Sequence, residues 1–250
     1  MPAPVLLIAG LGQGSWSWRD VVPLLDGDRR VLAPDVPGTG SRNEEAARRS
    51  IGDMASDFAR FLGARRVDGV HVVGLSMGGY VAMTLALRER TLVRSLVLIG
   101  TGGGGPDRVR RPRHVADAFT SALTRPYEEF SRRTMPYTFG PGWTERHPQR
   151  FEEILAARFE RPTSFDAIES HAVACYAFYA TGIEAERIAV PTLVVHGDQD
   201  LIIPVENGRR LAARIRRAEY VELEGRGHNL PLEDPETLAR LIREFLARVE

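Results

Sequence analysis

The chain has a single cysteine, Cys175, which excludes an internal disulfide framework and a multi-cysteine metal site and makes a reducing cytoplasm its natural compartment. Net charge is missing as well. Lys+Arg 33 balance Asp+Glu 33, leaving no excess to attract nucleic acid or an anionic membrane. The basic residues come in short arginine pairs, such as Arg110 with Arg111, Arg132 with Arg133 and Arg216 with Arg217, with acids interspersed. That is the pattern of a solvated helical surface. Long hydrophobic runs are absent too. Val5-Leu6-Leu7-Ile8-Ala9 is too short to span a bilayer and has no basic stretch before it of the kind a secretory signal carries. It reads as a buried strand. No internal repeat, heptad array or low-complexity tail is visible.

With 250 residues, 43% hydrophobic and 26% charged, the chain can bury a large core as one α/β domain carrying an insertion. Apolar runs of strand length, closed by Gly or Pro, recur at 5–9, 30–33, 69–73, 95–99, 192–196 and 219–223. Their lack of polar alternation suggests a sheet covered on both faces. Helical patterns fall between them at 53–62 after Ser50, at 77–88, at 207–215 and at 235–249, where Leu238, Leu241, Ile242, Phe245 and Leu246 form one stripe. Alternating strands and helices specify a doubly wound, mostly parallel sheet. The alternation stops over 102–187, where helix-like stretches at 113–123, 148–159 and 165–179 follow one another. We therefore expect a core from 1–101 and 188–250, with a helical insertion at 102–187. The insertion opens with Gly102-Gly103-Gly104-Gly105-Pro106, which cannot continue a strand. It leaves the C-terminal edge of a parallel strand, where open α/β sheets bind ligands, and so is expected to form a cap.

The strongest local signal is Gly74-Leu75-Ser76-Met77-Gly78-Gly79, between the apolar run Val70-His71-Val72-Val73 and the helical Tyr80-Val81-Ala82-Met83-Thr84-Leu85. A serine on a sharp strand-to-helix turn needs neighbours without bulk, which Gly74 and Gly78 provide. Serine is a poor nucleophile at neutral pH and needs a base. An acid-bearing loop follows a strand at His196-Gly197-Asp198-Gln199-Asp200, and a glycine-flanked histidine ends another at Gly225-Arg226-Gly227-His228. The order Ser, Asp, His is that of the hydrolase fold. Asp198 and Asp200 both lie where the orienting acid belongs.

On these motifs the sequence resembles the α/β-hydrolase superfamily, in particular its capped, cofactor-free branch of carboxylesterases, enol-lactonases and carbon–carbon bond hydrolases. Further marks are Ala9-Gly10-Leu11-Gly12, Pro34-Asp35-Val36-Pro37-Gly38-Thr39-Gly40-Ser41, Pro204, Pro231 and Glu233-Asp234-Pro235-Glu236. The resemblance implies Ser76 as nucleophile, His228 as general base and Asp200 as the acid that orients it, leaving Asp198 to bond loop backbone. It assigns the oxyanion hole to the backbone N–H groups of Leu11 and Met77. It implies neither metal nor organic cofactor, and a small-molecule acyl substrate. Two departures stand out. The family's first loop usually begins His-Gly, where this chain has Ala9, and the first strand starts so early that a shortened sheet of about six strands, without the N-terminal hairpin, is expected.

A nucleotide-binding reading fails because Gly10, Gly12 and Gly14 do not form G-x-G-x-x-G. Relatives of the fold also include lyases, cyclases, acyltransferases and small-molecule receptors, and an intact triad favours hydrolysis among these. His71 and His196 read as structural, and His171 with Cys175 makes a poor zinc pair without further ligands. The aromatic residues of the insertion, among them Phe130, Tyr137, Phe139, Trp143, Tyr176, Phe178 and Tyr179, either wall an acyl pocket or pack the cap onto the core.

Overall fold

A computed structural model of the chain describes residues 2–27, 29–46 and 50–250. Residues 1, 28 and 47–49 of the expected core lie outside the described residues. Six strands form one sheet: β1 (Val5–Ile8), β2 (Val31–Leu32), β3 (Val70–Leu75), β4 (Val93–Ile99), β5 (Thr192–Gly197) and β6 (Ala218–Leu223), in the order β2-β1-β3-β4-β5-β6. Every pairing is parallel. The chain steps outward from β1 to β2, then returns to the far side of β1 for β3 and continues in that direction. The order therefore reverses between β1 and β3, where an open sheet leaves a crevice at its carboxyl edge.

Helices cover both faces, and the two-residue period of the strands sorts their side chains between them. Leu6, Ile8, Val72, Leu98 and Val194 face α2 (Ile51–Ala64), α3 (Met77–Arg88) and α9 (Val205–Arg214), meeting Phe58, Leu62, Val81, Leu85 and Leu211 in one cluster. Val5, Leu7, Val73, Val97 and Val195 face the other way, against Leu25 of α1 (Val22–Leu25) and Leu238, Ile242, Phe245 and Leu246 of α11 (Pro235–Val249). Sequence signals account for the helix starts. Ser50 caps α2 by accepting the Asp53 N–H at 3.0 Å, and Asp234 caps α11 by accepting the Thr237 N–H. The edge strand β6 departs from the expectation of a sheet buried on both faces, because its Glu219 and Glu222 are exposed. They pair with Arg248 and Arg209, and charge on an edge strand discourages pairing with another sheet.

Between β4 and β5 the chain forms α4 (Arg113–Ala122), α5 (Tyr127–Thr134), α6 (Trp143–Arg146), α7 (Pro148–Glu160) and α8 (Phe165–Thr181). The glycine run that leads to them is largely buried. The Gly103 carbonyl accepts the Ile183 N–H at 2.9 Å and the Gly105 N–H donates to the Tyr179 carbonyl at 3.1 Å, so exit and return are tied together. A last short helix, α10 (Leu230–Glu233), precedes α11. Among the described residues no helix is long and apolar enough to cross a membrane.

Candidate active site

Ser76 sits between β3 and α3 with φ +55° and ψ −117°. Apart from Arg66 it is the only non-glycine residue with positive φ among the described residues, and such strain persists only where the surroundings enforce it. Here they do. The Ser76 N–H donates to the Ile99 carbonyl at 2.8 Å, and the Thr101 hydroxyl donates to the Ser76 carbonyl at 2.9 Å. A Cβ on Gly74 would strike the Gly78 carbonyl, and one on Gly78 would strike the Ile8 carbonyl. The glycines around the serine are thus steric requirements.

His228 follows β6 and Asp200 follows β5. The two meet with His228 Nδ1 2.7 Å from Asp200 Oδ2. The other carboxylate oxygen, Oδ1, accepts the Ile202 and Ile203 N–H groups, both at 2.8 Å. Asp200 is 5% exposed, and burial alone would raise its pKa. The neighbouring His228 and His196 instead hold the carboxyl well below the usual carboxylate range. An ionised Asp200 can only accept, so the proton it receives is on His228 Nδ1, leaving Nε2 as the available base. Asp198 bonds loop backbone, its Oδ1 accepting the Gly225 N–H at 2.7 Å. Gly100 lets β4 end beside this pair, since a Cβ there would lie 3.1 Å from His228 Nδ1.

The histidine loop rests on the segment after α5. The Thr138 carbonyl accepts the N–H groups of His228 and Asn229 at 2.9 and 2.8 Å. Glu233 clamps the same junction by accepting the Gly227 and Gly140 N–H groups at 2.9 and 3.0 Å. The first loop lies alongside the serine, where a Cβ on Gly10 would be 3.5 Å from Ser76 Cβ. Asp35 ties that loop to the one after β2 by accepting the Ser15 N–H together with the N–H and hydroxyl of Ser41. Although burial opposes ionisation there, these donors keep the Asp35 carboxyl below its ordinary pKa.

Ser76, His228, Gly10, Leu11 and Asn229 line one cavity of about 230 Å³. Phe119, Phe130, Tyr176 and Tyr179 contribute its aromatic wall. The insertion's other aromatics pack elsewhere: Phe139 stacks on Trp143 at 4.3 Å, and Phe178 on Tyr80 at 4.3 Å. The insertion's aromatics thus divide between the cavity wall and packing. Cys175 also lines the cavity, but burial pushes its thiol up to about 12, which leaves it un-ionised and unreactive.

The sequence reads His196 as structural and His171 as half of a poor zinc pair, and it does not single out Arg158; the structure places all three near the site. His196 is not remote from the site: its Nε2 is 2.8 Å from the Ile203 carbonyl and 3.1 Å from Asp200 Oδ2. Both oxygens accept, so Nε2 carries the proton, shared between its bond to the Ile203 carbonyl and the nearby acid. His171 engages both ring nitrogens, with Gly12 N–H and the Pro37 carbonyl, which removes it from any metal pairing with Cys175. Arg158 of α7 lines the cavity and is 6% exposed. Its Nε donates to Ser131 Oγ at 2.9 Å, and its guanidinium lies 5.2 Å from the Tyr127 ring centre and 5.7 Å from that of Trp16. No carboxylate pairs with it among the described residues. Burial pulls its pKa below the ordinary value, yet a guanidinium stays charged at any physiological pH.

Parallel strands that reverse order at β1 and β3, a strained serine at that crevice and an Asp–His pair beside it define an α/β hydrolase. Residues 5–241 match the alpha/beta hydrolase family, and the chain belongs to it. It is 31% identical to a 2-hydroxymuconate semialdehyde hydrolase of Pseudomonas sp. (strain CF600), over 99% of this chain and 88% of the relative. It is 29% identical to a 2-hydroxy-6-oxo-2,4-heptadienoate hydrolase of Pseudomonas putida, over 98% of this chain and 89% of the relative. Among solved structures it resembles an enol-lactonase from Burkholderia xenovorans LB400, with a TM-score of 0.82 and 26% identity over 99% of this chain and 92% of that one. These relatives are hydrolases.

Proposed function

We propose that the protein is a serine hydrolase that cleaves an ester, lactone or related acyl bond in a small molecule bearing a carboxylate. The observation that carries the mechanism is the His228–Asp200 contact of 2.7 Å beside a cavity shared by His228 and the strained Ser76. In this reading His228 Nε2 takes the proton of the Ser76 hydroxyl as Oγ attacks the carbonyl carbon. The oxyanion accepts the Leu11 and Met77 N–H groups; Met77 is the first residue of α3, where helix N–H groups have no acceptor within the helix. His228 then gives its proton to the leaving oxygen, and water attacks the acyl-serine by the same route in reverse. Residues 102–187 act as a cap that closes the cavity and supplies its apolar wall.

The carboxylate follows from Arg158, a buried cation in the cavity with no anionic partner of its own. Such a charge is costly to bury unless a ligand completes its pairing. The names of the two curated relatives, one a muconate and the other a heptadienoate derivative, support an acidic substrate.

The test is turnover of p-nitrophenyl esters of graded acyl length by the wild type and Ser76→Ala, with intact-mass detection of the acyl-enzyme. We expect a loss of about 10⁴-fold or more in kcat on removing Ser76, with an acyl adduct on the wild type alone. A folded wild type that gives neither turnover nor adduct would move the assignment to a lyase, a cyclase or a binding protein, and acyl transfer to an added alcohol in place of water would identify an acyltransferase.

A further inference from the structure

The first loop has little to hold it from its own strand. Ala9, directly after β1, offers only a methyl group, and Gly10, Leu11 and Gly12 carry no polar side chain. Asp35 holds its far end at Ser15 and Gln13 reaches Asn229, but the hold on Gly12 comes from α8 and the stretch that enters it. His171 is 0% exposed, and its Nδ1 accepts the Gly12 N–H at 3.3 Å while Nε2 lies 3.1 Å from the Pro37 carbonyl. A carbonyl can only accept and an N–H can only donate, so Nε2 carries the ring proton and Nδ1 is bare. The two partners therefore fix a single neutral tautomer.

Gly12 is gripped on its other side as well. Its carbonyl accepts the Thr163 hydroxyl at 3.1 Å, and Ile168 leaves so little room that a Cβ on Gly12 would be 3.3 Å from its Cγ1. Gly12 also has φ +64°, so its conformation depends on being glycine. Both polar backbone groups of one loop residue are thus held by the stretch that enters and forms α8. The Gly12 N–H shares a peptide plane with the Leu11 carbonyl, so fixing that plane constrains Leu11 ψ and, through it, the direction of the Leu11 N–H.

We propose that His171 is a positioning residue that tethers the oxyanion loop to α8 and so aims the Leu11 N–H into the cavity. This inference rests on the assignment of Leu11 to the oxyanion hole made above. The tether makes the insertion part of the catalytic geometry, since any displacement of α8 pulls on Gly12. A purely space-filling role is the competing account, and an apolar ring would serve it equally well.

The experiment compares His171→Phe, which keeps a ring without polar atoms, with His171→Asn, whose amide oxygen can take the place of Nδ1. Amide hydrogen exchange of the peptide covering 9–14 is measured alongside kcat and KM for a p-nitrophenyl ester. For His171→Phe we expect faster exchange in that peptide and a fall in kcat of about ten- to a hundredfold, with KM within about twofold, because the oxyanion exists only after attack. His171→Asn recovers most of both. Wild-type kcat in a folded His171→Phe, an effect on KM alone, or an asparagine variant no better than phenylalanine would overturn the proposal. Should His171→Phe not fold, Thr163→Val loosens the same residue from its carbonyl side, and we expect a kcat loss in the same direction of about threefold; unchanged kcat there would count against the tether. Absence of turnover in the wild type would instead break the hydrolase reading, and loop exchange would then decide alone whether His171 holds residues 9–14.

Discussion

In the sheet, apolar side chains alternate between two faces, and each face closes on one continuous cluster with the helices that cover it. In the segment between β4 and β5 the apolar residues divide instead. Met135, Phe139, Trp143, Ile154 and Leu155 form one small group, and Ala122, Phe130 and Ile168 another. Among the described residues of this segment, Ala174, Cys175 and Phe178 of α8, with Ala185 and Ile188 after it, join a face of the sheet. Leu232 of α10 packs into the first of these groups and Leu11 against the second, and polar contacts complete the attachment: Thr138 to the histidine loop, Glu233 to Gly140, Thr163 and His171 to Gly12, and Asn207 to Val109. A region held by a few directional bonds opens at lower free energy than one held by a buried apolar layer. The sheet thus fixes where Ser76, Asp200 and His228 stand, and the insertion walls the cavity that Ser76 and His228 line.

Asp200→Asn probes the sheet's side of this division and carries the largest expected effect in the comparison. An asparagine can fill the same space but can turn its NH₂ toward His228 and favour the wrong tautomer, so kcat is expected to fall by about 10³- to 10⁴-fold. The carboxyl's lowered pKa also stabilises the fold. That contribution is complete above the ordinary value of 3.8 and is lost as pH falls through the folded-state value, so the acid limb of the stability profile should flatten in the variant. Rates within tenfold of wild type would show that His228 is oriented by something other than Asp200.

Next in size is a matched pair of truncations. Leu98 of β4 and Leu155 of α7 are both 0% exposed, so the same chemical change is made in each region. Leu98→Ala should cost on the order of 3–5 kcal/mol in urea unfolding, as expected for a core leucine with little room to relax. Leu155→Ala should cost less than half as much, with faster amide exchange confined to residues 127–160. Equal costs and a global rise in exchange would mean that sheet and insertion unfold as one cooperative unit, and the contrast would dissolve.

The same division explains what could be read from the chain. The strand, turn and helix around Ser76 were legible because buried parallel strands are runs of apolar residues and the turn demands glycine. Asp200 and His228 were legible by order and by their place after strands. Helix α5 was not. Its Glu128, Glu129, Arg132 and Arg133 leave only Phe130 as a buried apolar residue, so no stripe marks it, and pairs four residues apart support it instead. The proximity of His171 to Gly12 depends on a contact between distant segments that no local pattern encodes, and that of His196 to Asp200, four residues on, depends on how the loop after β5 turns. Arg158 is intermediate. It falls on the buried stripe of α7 with Ile154 and Leu155, so periodicity could have flagged a charge on an apolar face.

That arginine provides the smallest and sharpest test of the comparison, because it separates holding the insertion together from recognising a ligand. If Arg158 were mainly structural, Arg158→Met would loosen the insertion and lower stability. Its charge, however, has no carboxylate partner among the described residues, and replacing an unpaired buried cation by an apolar side chain of similar length relieves desolvation. We therefore expect the melting temperature to stay level or rise, with only the Ser131 oxygen left to find a new donor. Selectivity should change instead. The p-nitrophenyl half-ester of a short dicarboxylic acid has a terminal carboxylate that p-nitrophenyl butyrate lacks, and the ratio of kcat/KM between them should fall by about ten- to a hundredfold in the variant, mostly through KM. That corresponds to one charge-assisted bidentate contact, roughly 1.4–2.8 kcal/mol. A lower melting temperature with an unchanged ratio would make Arg158 a strut of the insertion, and the acidic substrate would lose its main support.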